Sequence, residues 1–232
     1  MRSAEATVVS VRRATPTTRI VRIRPHQPFL YRAGQAAELG PARAGSLTPY
    51  SIASAPDDTS RSGLVEFLVK LDAQGRWGDG FPLVRHGDVV RMRGPHGRFV
   101  FPDRPTERNF LFIGGGTGIA PLRGMIRHAR SRVDGALRVL YSARTPLDFA
   151  YRQELCGMAR RREIELMLTA TRDVTDLWRG ARGRITRAQL ARLVASPATL
   201  CFVCGPASMV DEVPRLLRDL GIDRSRIRLE EW

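Results

Sequence analysis

From Phe110 onward, strand-like apolar runs alternate with helical stretches, and this alternation restricts the fold more than any other feature of the chain. Four such runs are each followed by a segment with helical spacing: NFLFIGG, LRVLYSA, IELMLTAT and TLCFVCG. A last strand-like run, RIRLEEW, follows them. Repeated strand–helix units predict an α/β domain with a parallel sheet and helices on both faces.

The first hundred residues have a different character. ATVVSVRRAT, TRIVRIRP, LVEFLVKL and DVVRMRG alternate apolar and polar residues, which is typical of half-buried strands. Turn residues are dense between them, as in SAPDD and GPHG. Many short strands at such spacing predict a β-barrel or sandwich, with a domain boundary near residues 102–108.

The net charge of +15 raises the question of a nucleic-acid partner. Lys70 is the only lysine among 38 basic residues, and the arginines are spread over the whole chain. This distribution indicates a codon bias, and no basic block is interleaved with aromatic residues. We expect no binding of nucleic acid.

Cysteine and histidine usage gives no sign of a metal site. The three cysteines and four histidines lack metal-ligand spacing. Cys201 and Cys204 form a C-x-x-C pattern, but within a strand residues i and i+3 face opposite sides, so the two thiols would point apart.

No apolar run approaches bilayer length, and the first residues lack the apolar segment of a signal peptide. We expect a cytoplasmic protein without a membrane span.

The stretch LFIGGGTGIAPLRGMI, residues 111–126, follows a strand and opens a helix. This context favours a phosphate site, because glycine amides approach an anion closely and the helix N-terminus adds partial positive charge. Pro121 suits the first helical turn, where its missing N–H has no partner anyway. A second turn, Cys204-Gly205-Pro206, ends a later strand at the same edge, which indicates a dinucleotide site. The alternative is a glycine-rich turn without a ligand.

A β-rich domain with TPYSIAS, followed by an α/β domain with GGGTGIAP and CGPASM, resembles the ferredoxin–NADP⁺ reductase superfamily. YRAGQ at 31–35 and GPHGRF at 94–99 are further landmarks, so the resemblance covers essentially the whole chain. It implies a flavin-binding antiparallel β-barrel over residues 1–104 and an NAD(P)-binding α/β domain over residues 108–232. It also implies hydride transfer from NADPH or NADH to FAD, with FMN the less favoured flavin.

The resemblance assigns roles to particular residues. Tyr50 would lie flat on one flavin face and Trp232 would cover the other. Ser51 would hydrogen-bond near flavin N5, and Cys204 would sit beside the nicotinamide. Glu230 would supply a carboxylate near the active site, although Glu231 competes for that role. The predicted catalytic residues are Ser51, Cys204, Glu230 and Trp232. In the alternative interpretation, Tyr50 and Trp232 are packing residues and Cys204 is a small buried hydrophobe.

Two sets of binding residues follow from the same resemblance. The predicted flavin contacts are Thr48, Tyr50, Ser51, Ile52, Val69, Lys70, Gly75, Trp77, Gly78 and Trp232. The predicted NAD(P) contacts are Gly115, Gly116, Thr117, Gly118, Pro121, Arg144, Thr171, Arg172, Cys204, Gly205 and Pro206.

The chain departs from the family at the flavin phosphate. Thr48 stands where the flavin motif has arginine, and GRWGDG lacks the usual serine or threonine of the second flavin loop. Arg76 or Arg98 could replace the lost charge. We predict a more weakly or differently held flavin.

The coenzyme prediction favours NADPH over NADH. No acidic residue for a ribose 2′-hydroxyl follows the strand RVLYSA. Thr171 and Arg172 follow the third strand, where NADP-dependent members hold the 2′-phosphate, and Arg144 ends the second strand. The alternative is that both arginines are ordinary surface residues.

The electron acceptor is expected to be a separate molecule. The chain lacks the cysteine spacing of a plant-type ferredoxin domain, so we expect a reductase module without one. The first hypothesis is a ferredoxin-like or flavodoxin-like protein, or a partner oxygenase, as acceptor. The second is a reductase of free flavin or another small acceptor. The third is a non-catalytic nucleotide-binding regulatory module whose flavin site has decayed.

Overall fold

The chain divides into two compact units. The computed structural model describes residues 2–43, 45–78, 82–172 and 177–231. One unit comprises Met1–Phe101 with Arg123–His128, and the other comprises Pro102–Leu122 with Ala129–Trp232.

The first unit is built on a six-stranded antiparallel sheet. Its strands are β1 (Arg2–Arg13), β2 (Thr18–Pro25), β3 (Ala36–Pro41), β4 (Thr48–Ser51), β5 (Val65–Lys70) and β6 (Val89–His96). They pair in the order β4-β3-β6-β1-β2-β5. A bridge between Ile52 and Phe67 joins the segment after β4 to β5, so the two edges of the sheet meet. The predicted antiparallel β-barrel is confirmed.

Apolar side chains at every second position of β2 and β5 help to fill the interior of this barrel. Val21 lies opposite Phe67 and Ile23 opposite Val65, and all four side chains are fully buried. Arg22, which lies between Val21 and Ile23 on β2, is only half-buried. Apolar residues from both strands therefore share one face, as the period of two requires.

One predicted turn is a helix. The composition of SAPDD predicts a turn, but Pro56–Ser62 forms helix α1. Pro56 occupies the start of the helix, and acidic Asp57 and Asp58 follow in its first turn, where they complement the helix dipole. Gly63 ends it with φ 70°, donating its N–H to Thr59 O at 2.7 Å. These residues favour a helix, but a segment of seven residues is too short to show the apolar periodicity that identifies one in the sequence.

The second unit contains a six-stranded parallel sheet. Its strands are β7 (Asn109–Gly115), β8 (Ala136–Ala143), β9 (Glu165–Ala170), β10 (Ala181–Arg182), β11 (Leu200–Gly205) and β12 (Ile227–Glu231). Their order is β10-β9-β8-β7-β11-β12, and every pairing is parallel. The two-residue strand β10 was not predicted. The α/β class with a parallel sheet is confirmed.

Four helices connect these strands: α2 (Ile119–Ala129), α3 (Arg152–Arg160), α4 (Arg187–Leu193) and α5 (Ala207–Arg218). Short 3₁₀ turns occupy Gly116–Gly118, Pro146–Asp148 and Arg224–Arg226. Thr186 caps α4, accepting a hydrogen bond from Gln189 N at 3.3 Å. Buried residues of α4 and α5 form one core cluster with β7 and β11. Among the described residues, no helix has the length and apolar character that crossing a membrane requires.

Helix α3 begins later than its sequence pattern predicts. The pattern of DFAYRQELCGMARR predicts helix throughout, but the helix starts at Arg152. Tyr151 has φ 58°, a left-handed conformation that a continuing right-handed helix excludes. Asp148 is instead held by a capping box with Thr145, in the preceding 3₁₀ turn.

Candidate functional site

Strand β4 carries Tyr50 and Ser51 at an edge of the barrel sheet. The ring of Tyr50 stacks on that of Trp77, with centroids 5.6 Å apart and planes inclined by 21°. Trp77 is buried in the barrel core, while Tyr50 is half-buried against it. Trp77 therefore supports Tyr50 from inside the core, which gives the tyrosine ring a fixed orientation.

Ser51 is the most informative polar residue of the first unit. It is 6% exposed, and its Oγ has no hydrogen-bond partner within the part of the chain that the structure describes. A buried hydroxyl without a partner costs free energy, about 1–3 kcal/mol. Such an atom suits a ligand that supplies the missing hydrogen bond.

A cavity of about 230 Å³ lies beside Tyr50. Thr48, Tyr50, Trp77 and Gly78 contribute to its wall, and the described lining residues include no charged side chain. Gly78 has φ 54°, and a Cβ at this position would lie 2.5 Å from Thr48 Oγ1. The close approach of this loop to Thr48 therefore requires glycine at position 78.

The remaining predicted flavin contacts fall into two groups. Ile52 and Val69 are fully buried in the core of the first unit. Lys70 and Gly75 are exposed.

Arg76, one suggested replacement for the motif arginine, already has a carboxylate partner. Its Nε lies 3.0 Å from Asp72 Oδ2, and its backbone N–H donates to Oδ1 of the same residue at 2.9 Å. These hydrogen bonds lower the pKa of Asp72, led by the one from the Arg76 backbone. Arg98 is exposed.

The glycine loop leaves β7 as a 3₁₀ turn and enters α2. Gly116 has φ 57° and open space where a Cβ would stand, and Thr117 is half-buried. Pro121 lies in the first turn of α2. Tyr141, which sequence reasoning missed, donates its buried hydroxyl to Gly116 O at 3.0 Å and accepts Ala150 N–H at 3.2 Å. The loop is thus held from β8 by a side chain.

The turn after β11 packs directly on the glycine loop. A Cβ on Gly118 would lie 2.5 Å from the carbonyl carbon of Cys204 and 2.9 Å from Gly205 N. A Cβ on Gly115 would lie 2.9 Å from Pro206 Cδ. Because β7 and β11 are paired, with Cys204 opposite Gly114, the two predicted turns meet backbone to backbone.

Cys204 and Glu230 occupy adjacent strands at the same register position. The Cys204 Sγ lies 4.0 Å from Glu230 Oε2, and Cys204 is fully buried. Burial, and to a smaller extent the charge of Glu230, raises the pKa of the Cys204 thiol. The thiol is therefore protonated at neutral pH, which excludes a thiolate nucleophile and suits a residue that shapes a pocket.

Arg144 and Arg172 follow the ends of β8 and β9. Arg172 N–H donates to Arg144 O at 2.8 Å, and Thr171 N–H donates to Ala143 O at 2.9 Å. Both arginines are exposed. The ladder between the strands thus continues past their ends and holds the two arginines side by side.

Strand order arranges these features in a row along the carboxyl edge of the parallel sheet. From β9 to β12 the row reads Arg172, Arg144, Gly116, Cys204 and Glu230. This is the edge at which open α/β sheets bind nucleotides. Trp232, predicted both as a catalytic residue and as a flavin contact, lies outside the described residues.

Two family models match the chain. Residues 5–101 match the oxidoreductase FAD-binding domain, and residues 112–215 match the oxidoreductase NAD-binding domain. Ferredoxin–NADP reductase B of Sorangium cellulosum is 33% identical, over 98% of this chain and 97% of the relative. The chain belongs to the ferredoxin–NADP⁺ reductase superfamily.

Other members of the superfamily support the same assignment. The ferredoxin–NAD(P)⁺ reductase CarAd of Metapseudomonas resinovorans is 30% identical, over 98% of this chain and 68% of the relative. The solved structure of the Amycolatopsis cytochrome P450 reductase GcoB superposes with a TM-score of 0.86 at 26% identity, covering 99% of this chain and 69% of that one. This superfamily member is an FAD-dependent NAD(P)H oxidoreductase.

The first unit fits the flavin that the family implies. Ser51 offers a buried hydroxyl that lacks a partner among the described residues, and Tyr50 offers an aromatic face beside a cavity. In this reductase, Thr48, Tyr50, Ser51 and Gly78 are the residues whose side chains or close packing suit flavin binding.

Proposed function

We propose that this reductase oxidises NADPH in preference to NADH and passes electrons from FAD to a separate acceptor protein. The coenzyme preference depends mainly on one observation, the hydrogen bond that places the Arg144 and Arg172 backbones together. Two guanidinium groups at one end of the nucleotide row suit a 2′-phosphate, because charge-assisted hydrogen bonds to phosphate are strong. The described residues at the ends of β8 and β9 include no carboxylate suited to a free 2′-hydroxyl.

The chain's residues orient the reacting groups. Bound FAD would supply the hydride-accepting and electron-transferring chemistry. Trp77 supports Tyr50, which holds one flavin face, and Ser51 offers its hydroxyl to a flavin atom. The glycine loop and the helix N-terminus of α2 bind the coenzyme pyrophosphate. The Cys204 thiol, which is protonated, and the Glu230 side chain shape the nicotinamide end of the row. Positioning of two rings in near-contact is then the main catalytic contribution.

The acceptor proposal draws on the relatives and on charge. Relatives are named as ferredoxin reductases and as a cytochrome P450 reductase, which are proteins that serve separate acceptors. A net charge of +15 is compatible with an acidic electron-transfer protein, although the even spread of arginines that indicates codon bias discounts this point. A ferredoxin-like or flavodoxin-like protein, or a partner oxygenase, fits both points.

Steady-state kinetics with both coenzymes test the NADPH preference. For the wild type we expect a higher kcat/KM with NADPH, using ferricyanide as electron acceptor. Arg144→Ala and Arg172→Ala should each lower the NADPH value by about tenfold or more while leaving the NADH value within about twofold. Arg192→Ala, an exposed arginine on α4, serves as the matched control. Equal efficiency with NADH in the wild type would refute the preference.

A second function, reduction of exchangeable flavin, is favoured by the cavity beside Tyr50. Its described lining residues carry no charge to hold a phosphate, and Thr48 stands in place of the motif arginine. Extensive dialysis distinguishes the two functions. Retention of stoichiometric FAD supports a bound prosthetic group, whereas complete loss with saturable activity on added flavin supports flavin as substrate.

A further inference from the structure

Arg123 is a buried cation within the first unit. It is 6% exposed, and it belongs to the part of α2 that groups with the barrel. Its Nη1 donates to Ala53 O at 2.7 Å and lies 2.9 Å from Glu66 Oε1. Ala53 follows Ser51 by two residues, so this guanidinium holds the backbone just beyond the candidate flavin contacts.

Glu66 connects Arg123 to the same short segment in a second way. It is 4% exposed, and its backbone C=O accepts Ala53 N–H at 2.7 Å. Its backbone N–H donates to Ser54 Oγ at 3.1 Å. The Ala53 N–H is therefore bound by Glu66, and the Ala53 carbonyl is bound by Arg123. The segment after Ser51 has little freedom to shift.

The backbone of α2 lies close to this segment as well. A Cβ on Gly124 would lie 3.0 Å from Ser54 O and 3.1 Å from Ile52 O. One turn further along, Arg127 Nε lies 2.5 Å from Asp58 Oδ2 on α1. The segment Arg123–His128, which belongs to the first unit, is thus held there by packing and by a second ion pair.

A buried guanidinium is a costly way to achieve packing alone. An apolar side chain of similar volume would cover the same surface without the desolvation penalty of two charges. What the arginine adds is a directed hydrogen bond to one particular carbonyl oxygen. The contact therefore specifies the position of that backbone, which packing by an apolar side chain would not do.

We propose that Arg123 is a positioning residue for the hydride-transfer site, which holds Tyr50 and Ser51 in place through the Ala53 carbonyl and Glu66. This inference rests on the proposed function, because it assumes that Tyr50 and Ser51 contact the flavin. Arg123 itself touches no reacting atom. A small displacement of Ser51 is sufficient to change the rate, since misplacement by about 1 Å can cost up to a hundredfold.

Three variants test the proposal. Arg123→Gln removes the charge and the reach to both acceptors, and Arg123→Lys keeps the charge. Arg22→Gln is the matched control, because Arg22 also pairs with Glu66 but makes no hydrogen bond to Ala53 in the part of the chain that the structure describes. Its Nε lies 2.6 Å from Glu66 Oε2, and its side chain is 40% exposed. Each protein is loaded with FAD. The measurements are the visible flavin spectrum, the flavin reduction potential, the thermal unfolding midpoint and the rate of flavin reduction by NADPH in stopped flow.

We expect Arg123→Gln to slow flavin reduction by about tenfold to a hundredfold at saturating NADPH, with an altered flavin spectrum. Arg123→Lys should recover part of the rate, and Arg22→Gln should stay within about threefold of wild type. Should Arg123→Gln fail to fold, Arg123→Lys carries the test, with a slower rate than Arg22→Gln as the expected result.

Two results would overturn the proposal, and they are distinguishable. If the wild type binds FAD and the Arg123 variants match it in flavin spectrum, potential and rate while only the unfolding midpoint falls, Arg123 is a stability residue. If the wild type takes up no flavin at all, the proposed function fails and this inference fails with it.

Discussion

Replacing Gly118 by alanine tests whether the glycine loop and the turn after β11 form one coenzyme site. The new Cβ would lie 2.5 Å from the Cys204 carbonyl carbon and 2.9 Å from Gly205 N. Ordinary van der Waals contact begins near 3.4 Å. Both obstructing groups are backbone atoms, so no side-chain rotation relieves the overlap, and one of the two turns must move by about 1 Å.

Overpacking of this kind costs about 1–3 kcal/mol of unfolding free energy. A loop displaced by about 1 Å also misaligns the amides that would bind the pyrophosphate, which can cost up to a hundredfold in rate. We expect Gly118→Ala to lower the urea midpoint, to weaken NADP⁺ binding by about tenfold or more in calorimetric titration, and to slow hydride transfer.

Gly157→Ala provides the matched control. Gly157 lies within helix α3, and its Cβ would approach the ends of two arginine side chains, Arg161 at 3.3 Å and Arg160 at 4.0 Å. Alanine is the better helix former by about 1 kcal/mol, so this variant should be as stable as wild type or more so. Gly118→Ala with wild-type stability and NADP⁺ affinity would refute the reasoning, because the overlap with the Cys204 backbone would then have no consequence.

Three further predictions follow from the flavin side and from the buried thiols. Thr48→Arg should tighten FAD binding by about tenfold at low salt and lose that gain at high salt, as flavin fluorescence titrations would measure; an affinity equal to that of Thr48→Ser contradicts it. Ser51→Ala should leave the urea stability of the apoprotein unchanged or slightly raised, while slowing flavin reduction by about two- to tenfold in stopped flow; a clear loss of apoprotein stability contradicts an unpartnered hydroxyl. Burial raises the pKa of Cys201 to about 12 and also raises that of Cys204, so above pH about 8.5 the unfolded thiols lose protons that the folded ones keep. The free energy of unfolding should therefore fall as pH rises from about 8 to 10, and less steeply in Cys201→Ala; equal slopes in urea unfolding contradict the assignment.

Local pattern predicted most of the second unit. Buried parallel strands read as continuous apolar runs, so β7, β8, β9 and β11 were visible in the sequence. The turns at Gly118 and Gly205 were visible for a different reason, because glycine marks places where one stretch of backbone lies close to another. Short elements leave too few residues for a recognisable pattern, which is why α1 and β10 were missed.

The supporting residues of the site could not be predicted. Tyr141 follows Gly116, whose carbonyl it binds, by 25 positions in the chain, and Arg123 lies 70 positions after Ala53. Hydrogen bonds over such separations depend on tertiary packing and leave no local signal. In contrast, Arg76 was suggested as a phosphate ligand, yet a carboxylate only four residues away already engages it.

The proposed coenzyme role of Arg144 and Arg172 bears on how coenzyme preference changes during evolution. Both side chains are exposed at loop positions, and only their backbones take part in the strand ladder. Substitution at either position leaves that ladder intact. On the proposed role, the coenzyme preference can therefore change without a loss of folding stability. The glycine loop has no such latitude, because a Cβ on Gly118 would overlap the main chain of Cys204. Lineages descended from such a reductase would therefore diversify in coenzyme choice while keeping the same glycine turn.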